Sequence, residues 1–255
     1  MTQVSQSLRQ WGALILTTLL AAVVWMPSVS GAEPRSVDLY FAEAPPLSML
    51  DQSGLHGIVG DVTLKAATRA GYALNFVQVP WARAQQSVRK GVDKLIIPLT
   101  RTPEREADYT WIAPIMTMDR AFFSLHKRVE TLQQARETYA RIAVGRGSAQ
   151  EQKLRAEGFS DNQIYPFEIG ENPAQLLLMG RVDAWFNGIP ETQSIWRKVS
   201  TQPLQVSPAF MSSDLYLACS RDCDAVLVRK LSAAVEALRK DGSQERIRKS
   251  YFDAP

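Results

Sequence analysis

Histidine and cysteine are scarce, two of each in 255 residues. His56 and His126 stand far from Cys219 and Cys223, and the cysteines are not spaced C-x-x-C. A tetrahedral metal site is therefore not indicated. Neither G-x-S-x-G nor H-E-x-x-H occurs, which leaves hydrolase and metalloprotease chemistry without support. The stretch GRGSAQ carries Gln150 where a dinucleotide loop needs its third glycine, so no nucleotide cofactor is implied, and none of another kind. A formal net charge of +3, with no basic cluster on one element, is too weak to argue for nucleic acid.

Long apolar runs are confined to one place, Trp11 to Met26. Arg9 precedes the run, and small residues follow it at Ser30 and Ala32. This is the pattern of a secretory signal peptide, residues 1–32, cleaved after Ala32. The run is shorter than the ~20 residues of a membrane span. No cysteine follows it directly, which excludes a lipid anchor at that point. The mature chain is then periplasmic, and in that oxidising compartment Cys219 and Cys223 are expected to form a short-loop disulfide.

Beyond Glu33 the chain alternates short apolar runs with amphipathic stretches. SVDLYFAE and YALNFVQVP read as strands, and IVGDVTLKAATRAG reads as a helix stopping at Gly71. WARAQQSVRKG places Trp81, Ala84 and Val88 on one helical face. The near-continuous apolar run in VDKLIIPLT suits a parallel strand covered on both sides. The second part repeats the grammar. Ser148 with Glu151 forms a capping box, and Asn172 with Pro173 opens another helix. SVRKGVDKLIIPLT and LLLMGRVDAWFNGIP share the order helix, glycine, Val-Asp, strand, polar loop. A last helix aligns Leu227, Leu231, Val235 and Leu238, then turns at Gly242. Strand-helix alternation of this kind predicts an α/β fold in two similar lobes.

The ordered set APPLSMLDQSGLHGIVGDV, VPWARAQQSVRKGVDKLIIPLTRTPER, ADYTWIAPI, AVGRGSAQEQKL, LLLMGRVDAWF and LSAAVEALRKDGSQERIRKSYF resembles the family 3 bacterial extracellular solute-binding proteins. The resemblance covers most of the mature chain. It implies a two-lobed periplasmic-binding-protein fold (type II) with two hinge strands and a ligand cleft between the lobes. Lobe 1 would hold residues 33–116 and 212–255, and lobe 2 residues 117–211 including the hinge strands. Thr117–Asp119 and Val206–Met211 are the candidate hinges. The implied role is capture of a small-molecule ligand by a monomer that docks on ABC permease membrane subunits.

Open α/β sheets bind ligands beyond the carboxyl ends of their strands. The tail after Leu99 therefore matters: Thr102 can cap a helix starting at Pro103, with Arg105 in its first turn. A guanidinium there is a fork for a carboxylate, and the resemblance assigns Arg105 to the ligand carboxylate and Thr100 beside it. It also assigns Ser148 and the Ala149 amide, at a helix start where free N–H groups gather. Trp81 and Arg83, in PWAR, stand at another strand's carboxyl edge. The indole can stack on a flat ligand or pack in the core, and Arg83 with Arg105 would favour an anion. Trp111 and Trp185 read as core.

Two departures alter the picture. The family usually offers an aspartate to the ligand ammonium in the loop after the strand beginning Asp183-Ala184. That position is Gly188 here, preceded by Asn187, which brings no charge. A buried ammonium without an anion is costly, so either another acid serves, Glu43 in FAEAPP being the best candidate, or the ligand is not a standard α-amino acid. Pro98 removes a backbone donor from lobe 1. The competing reading is an enzyme on the same scaffold, similar to cyclohexadienyl dehydratase, with Glu43 or Glu191 as a general acid in an apolar setting. A sensing module that signals through a separate receptor is the third.

Overall fold

The computed structural model describes residues 34–52 and 54–252. The expected signal peptide lies outside them. No helix among the described residues is long and apolar enough to cross a membrane.

The chain alternates as its sequence suggests. β1 (Arg35–Phe41), α1 (Gly57–Arg69), β2 (Tyr72–Gln78), α2 (Trp81–Arg89) and β3 (Leu95–Thr100) come first. A 3-10 turn, Pro103–Asp108, leads into β4 (Tyr109–Ser124). Then follow α3 (Leu132–Thr138), β5 (Ile142–Gly145), α4 (Ala149–Ala156), β6 (Ile164–Phe167), α5 (Pro173–Leu178), β7 (Ala184–Gly188), α6 (Ile189–Val199) and β8 (Gln205–Val206). β9 (Met211–Ser220), α7 (Ala225–Lys240) and α8 (Ser243–Phe252) close the chain.

The strands join in the order β2-β1-β3-β9-β4-β7-β5-β6, with β8 also on β4. β1 is parallel to both β2 and β3, and β5 is parallel to both β6 and β7. These are two α/β lobes, and β4 and β9 run between them. β4 has 16 residues, which at about 3.3 Å each spans about 50 Å. Its first part pairs with β9, and Arg120–Ser124 pairs with β7. Thr117 to Arg120 lie opposite Asp214 to Met211, so the second crossing falls at the start of β9, just after the expected Val206–Met211. β3 departs from expectation: it is covered on both faces, but its β9 neighbour is antiparallel.

Each lobe has a core on both faces of its sheet. In the first lobe α1 and α7 cover one face through Val59, Val62, Leu231 and Val235. α2 covers the other through Trp81, Ala84 and Val88. In the second lobe Phe122, Ile142, Leu154 and Phe186 form one cluster, and Trp185, Ala174, Leu177 and Trp196 form another. Separate cores allow the lobes to move as units about the crossing strands. Cys219 and Cys223 are bonded, tying the end of β9 to the turn where Asp224 caps α7.

Candidate functional site

A cavity of about 260 Å³ lies between the lobes at the carboxyl edges of their parallel strands. The first lobe contributes Trp81, Pro98, Thr100 and Arg105, and the crossing strand β4 contributes Met118 and Arg120. The second lobe contributes Ser148, Ala149, Phe167, Trp185, Asn187 and Glu191.

The two arginines after Leu99 part company. Arg101 stays on the surface, ion-paired with Glu106 and lying over the rings of Trp111 and Tyr216. Arg105 turns inward and is 4% exposed. The segment that carries it is a 3-10 turn rather than an α-helix, and the Thr102 hydroxyl makes no cap bond to it. Arg105 donates from Nη1 to the Thr100 carbonyl at 3.1 Å and from Nη2 to the Gly147 carbonyl at 2.9 Å. The second bond spans the cleft. Gln85 Nε2 donates to the same carbonyl at 3.2 Å. Gly147 has φ +67°, a left-handed conformation natural to glycine, and its carbonyl meets lobe 1.

Arg120 is the residue that the sequence reading passed over. It is 2% exposed and donates to the Met118 carbonyl, the Ser213 hydroxyl and, at 2.9 Å, the Thr100 hydroxyl. Thr100 therefore holds both guanidiniums. Their hydrogen bonds among the described residues go to carbonyl and hydroxyl oxygens, and the Nε–H of each is buried with no acceptor. Burial lowers the pKa of Arg105 and pushes that of Arg120 down to about 10, against the pull of Glu191. The Trp185 indole N–H is likewise buried without a partner. Trp185 packs in the core as expected, yet it also faces the cavity.

Opposite these donors sits Glu191, in the first turn of α6. Its carboxyl end is turned inward: a Cβ built on Gly188 would meet Glu191 Oε2 at 2.4 Å and Met118 Sδ at 2.7 Å. Burial pushes Glu191 up to about 7, opposed by Arg120. An acid that titrates near neutrality can serve as a proton donor or as an anion for a ligand cation.

Of the expected residues, Glu43, Trp81, Thr100, Arg105, Ser148, Ala149 and Asn187 line the cavity. Ser148 Oγ accepts from Glu151 N, and Glu151 Oε2 accepts from Gly147 N, so the capping box forms with its return bond one residue early. The Ala149 amide lies in the first turn of α4, where N–H groups lack intrahelical acceptors. Asn187 donates to the Thr192 hydroxyl at 3.3 Å. Two expected residues stand elsewhere. Arg83 is exposed and does not line the cavity, because α2 buries Trp81, Ala84 and Val88 and turns position 83 outward. Gly188 is buried beneath Glu191 and Met118 rather than on the wall. Glu43 reaches only the mouth, where it is exposed and accepts from Gln78.

The sequence profile of the bacterial extracellular solute-binding proteins, family 3, matches residues 40–254. No curated protein sequence matches. Among solved structures, the arginine-, lysine-, histidine-binding protein ArtJ from the thermophilic bacterium Geobacillus stearothermophilus has a TM-score of 0.76 at 17% identity, over 86% of this chain and 96% of that one. A histidine kinase sensor domain with similarity to periplasmic binding proteins has a TM-score of 0.77 at 18% identity, over 86% and 96%. The ancestral amino acid-binding protein AncCDT-1, a precursor of cyclohexadienyl dehydratase, has a TM-score of 0.74 at 19% identity, over 85% and 95%. At such identities the likeness establishes the fold alone.

Proposed function

This chain belongs to the bacterial extracellular solute-binding proteins, family 3, and on that premise we propose that it captures a small carboxylate-bearing polar solute, an amino acid or a relative of one, and delivers it from the periplasm to an ABC importer. The observation that carries the reading is a set of orphaned donors. Arg105 Nε, Arg120 Nε and Trp185 Nε1 are all buried without an acceptor in residues that line one cavity. Buried polar groups are normally paired, and leaving three N–H groups unpaired costs about 1–3 kcal/mol each. An anionic ligand with several oxygens would meet them. The Arg105 bond to Gly147 gives the route to closure: a ligand touching both lobes stabilises the arrangement in which they meet. In this reading residues 33–116 and 212–255 form lobe 1, residues 117–211 form lobe 2, and the chain acts as a monomer.

Thermal unfolding of the protein against a panel of amino acids, amines and carboxylic acids tests this. A ligand at one hundred times its dissociation constant adds about 2.7 kcal/mol of stability. Carboxylates should raise the melting temperature, and Arg105→Met should abolish the rise. A panel in which only amines act, or in which Arg105→Met responds like the parent, would refute it.

A second reading is favoured by Glu191 alone. An acid raised to about 7 by burial suits protonation of a leaving hydroxyl, and one structural neighbour is a dehydratase precursor. Incubation with cyclohexadienyl acids, followed by ultraviolet absorbance of an aromatic product, decides it. Turnover that vanishes in Glu191→Gln supports the enzyme, and a flat trace removes it.

A further inference from the structure

The charges in the cleft go further than a single carboxylate. The inference rests on the capture reading and narrows its ligand. Arg105 and Arg120 bring two buried guanidiniums whose hydrogen bonds among the described residues all go to uncharged oxygens. Three acids line the cavity, Glu43, Glu171 and Glu191. Glu43 and Glu171 are exposed at the mouth, one bonded by Gln78 and the other by the Glu168 amide, so water screens them. Glu191 is the acid inside. Its carboxyl end occupies the space that glycine leaves at position 188.

We infer that the cleft selects a dicarboxylic amino acid, its two carboxylates held by Arg105 and Arg120 and its ammonium by Glu191. The count decides among alternatives. With Glu191 ionised, two buried cations and one anion leave one positive charge. A zwitterion with a neutral side chain adds nothing net and leaves that charge uncompensated, which is costly away from water. A diacid without an amine neutralises the guanidiniums but sets a third carboxylate beside its own, forcing Glu191 to stay protonated. An acidic amino acid carries two carboxylates and one ammonium, the inverse of the wall. The donor inventory agrees: a guanidinium has five N–H groups, Arg105 uses two of them and Arg120 three, and both keep Nε–H for a ligand oxygen. Thr100 joins the two, its carbonyl accepting from Arg105 and its hydroxyl from Arg120. The Met118 carbonyl accepts from Arg120, and the Met118 sulfur and Glu191 Oε2 both border the space left at Gly188. Glu191, lining the same cavity and within electrostatic reach of Arg120, places the cation site near the second guanidinium.

Isothermal titration calorimetry of the intact protein with three matched pairs tests the assignment: L-glutamate and L-aspartate, their amides L-glutamine and L-asparagine, and the amine-free glutarate and succinate. One acidic amino acid should bind roughly 30-fold or more tightly than both its amide and its amine-free partner, as expected when a buried charge loses its mate. Glu191→Gln should close the gap between the amino acid and the amine-free diacid while keeping the gap to the amide. Arg120→Gln should close the gap to the amide, with its melting curve recorded to establish folding. Where that variant does not fold, the parent and Glu191→Gln comparisons decide. An amide that binds as tightly as its acid, in a complex lost with Arg105→Met, overturns the two-carboxylate assignment and leaves the capture reading standing. An amine-free diacid that binds the parent as tightly as the amino acid overturns the role of Glu191. Binding of none of the six overturns the inference outright, and the wider panel then judges capture separately.

Discussion

Replacing Glu191 by glutamine should remove a pH dependence from the stability of the empty protein. Burial moves this carboxyl from 4.5 to about 7. Between those values the folded chain holds a proton that the unfolded chain has released. The stabilisation from the neutral acid is complete below pH 4.5 and is lost as pH rises through 7. Each pH unit in the window costs about 1.4 kcal/mol, so the whole window amounts to about 3 kcal/mol. Glutamine has the shape of the protonated acid and does not titrate. Urea unfolding at intervals from pH 5 to pH 8 should show the parent losing about 2 to 3 kcal/mol more than Glu191→Gln across that range, by the same relation. Carboxylates held low by their partners, such as Asp224 by the Val226 amide and Arg35, and Asp241 by Ser243 and Arg69, lose stability at more acid pH and affect both proteins alike. Parallel curves for the two proteins would refute the desolvation of the Glu191 carboxyl. A ligand bringing an ammonium should reverse the trend, since it favours the ionised acid.

Gly188→Ala should act on binding more than on folding. The new Cβ overlaps two side-chain ends, Glu191 Oε2 and Met118 Sδ, which can swing aside, so affinity in calorimetry should fall while the melting temperature moves little. Trp185→Phe keeps the packing and removes an orphaned N–H. The empty protein should hold or gain stability in urea, and ligand affinity should drop by about 1 kcal/mol if the indole meets a ligand oxygen. Replacing Cys219 and Cys223 together by alanine opens a loop of sequence separation 4; the chain-entropy relation gives a loss of about 2 kcal/mol, read as a lower urea midpoint without change in the lobe 2 cleft contacts.

The fold was legible because each element carried its own signal. Gly71 and Gly242 mark helix stops, Ser148 and Asn172 accept the first-turn amides of their helices, and Leu227, Leu231, Val235 and Leu238 share the buried face of α7. Hydrophobic periodicity reports burial. It does not report strand direction, so the continuous apolar run of β3 suits a parallel strand covered on both faces, while one of its neighbours is the antiparallel returning strand β9. The exact place where a chain crosses between lobes is equally silent in sequence, because crossing strands pair throughout and show no turn residue.

The site was legible where it lies beside a turn and obscure where it lies on a strand. Arg105 and Ser148 follow strand ends in polar loops, and position there argues for a cleft. Arg120 sits inside β4, between Asp119 and an apolar run, and reads as an outward charge on an alternating strand. Alternation does put it inward, on the buried side with Met118 and Phe122, and a lone guanidinium on an inward position is itself the signal that a ligand or a polar network waits there. Arg83 shows the converse. It stands at a strand's carboxyl edge, as Arg105 does, but helical phase turns it outward because Trp81, Ala84 and Val88 take the buried face. The absence of an acid at position 188 is plain in the sequence, and two acids that the sequence offers for the cleft, Glu43 and Glu191, both line the cavity. Glu43 is near a strand end but exposed. Glu191 is three residues beyond Gly188, and its carboxyl end takes the space that a side chain at position 188 would fill while the residue lines the cavity. An acid one helical turn beyond Gly188 thus brings a negative charge to the cavity wall within electrostatic reach of Arg120.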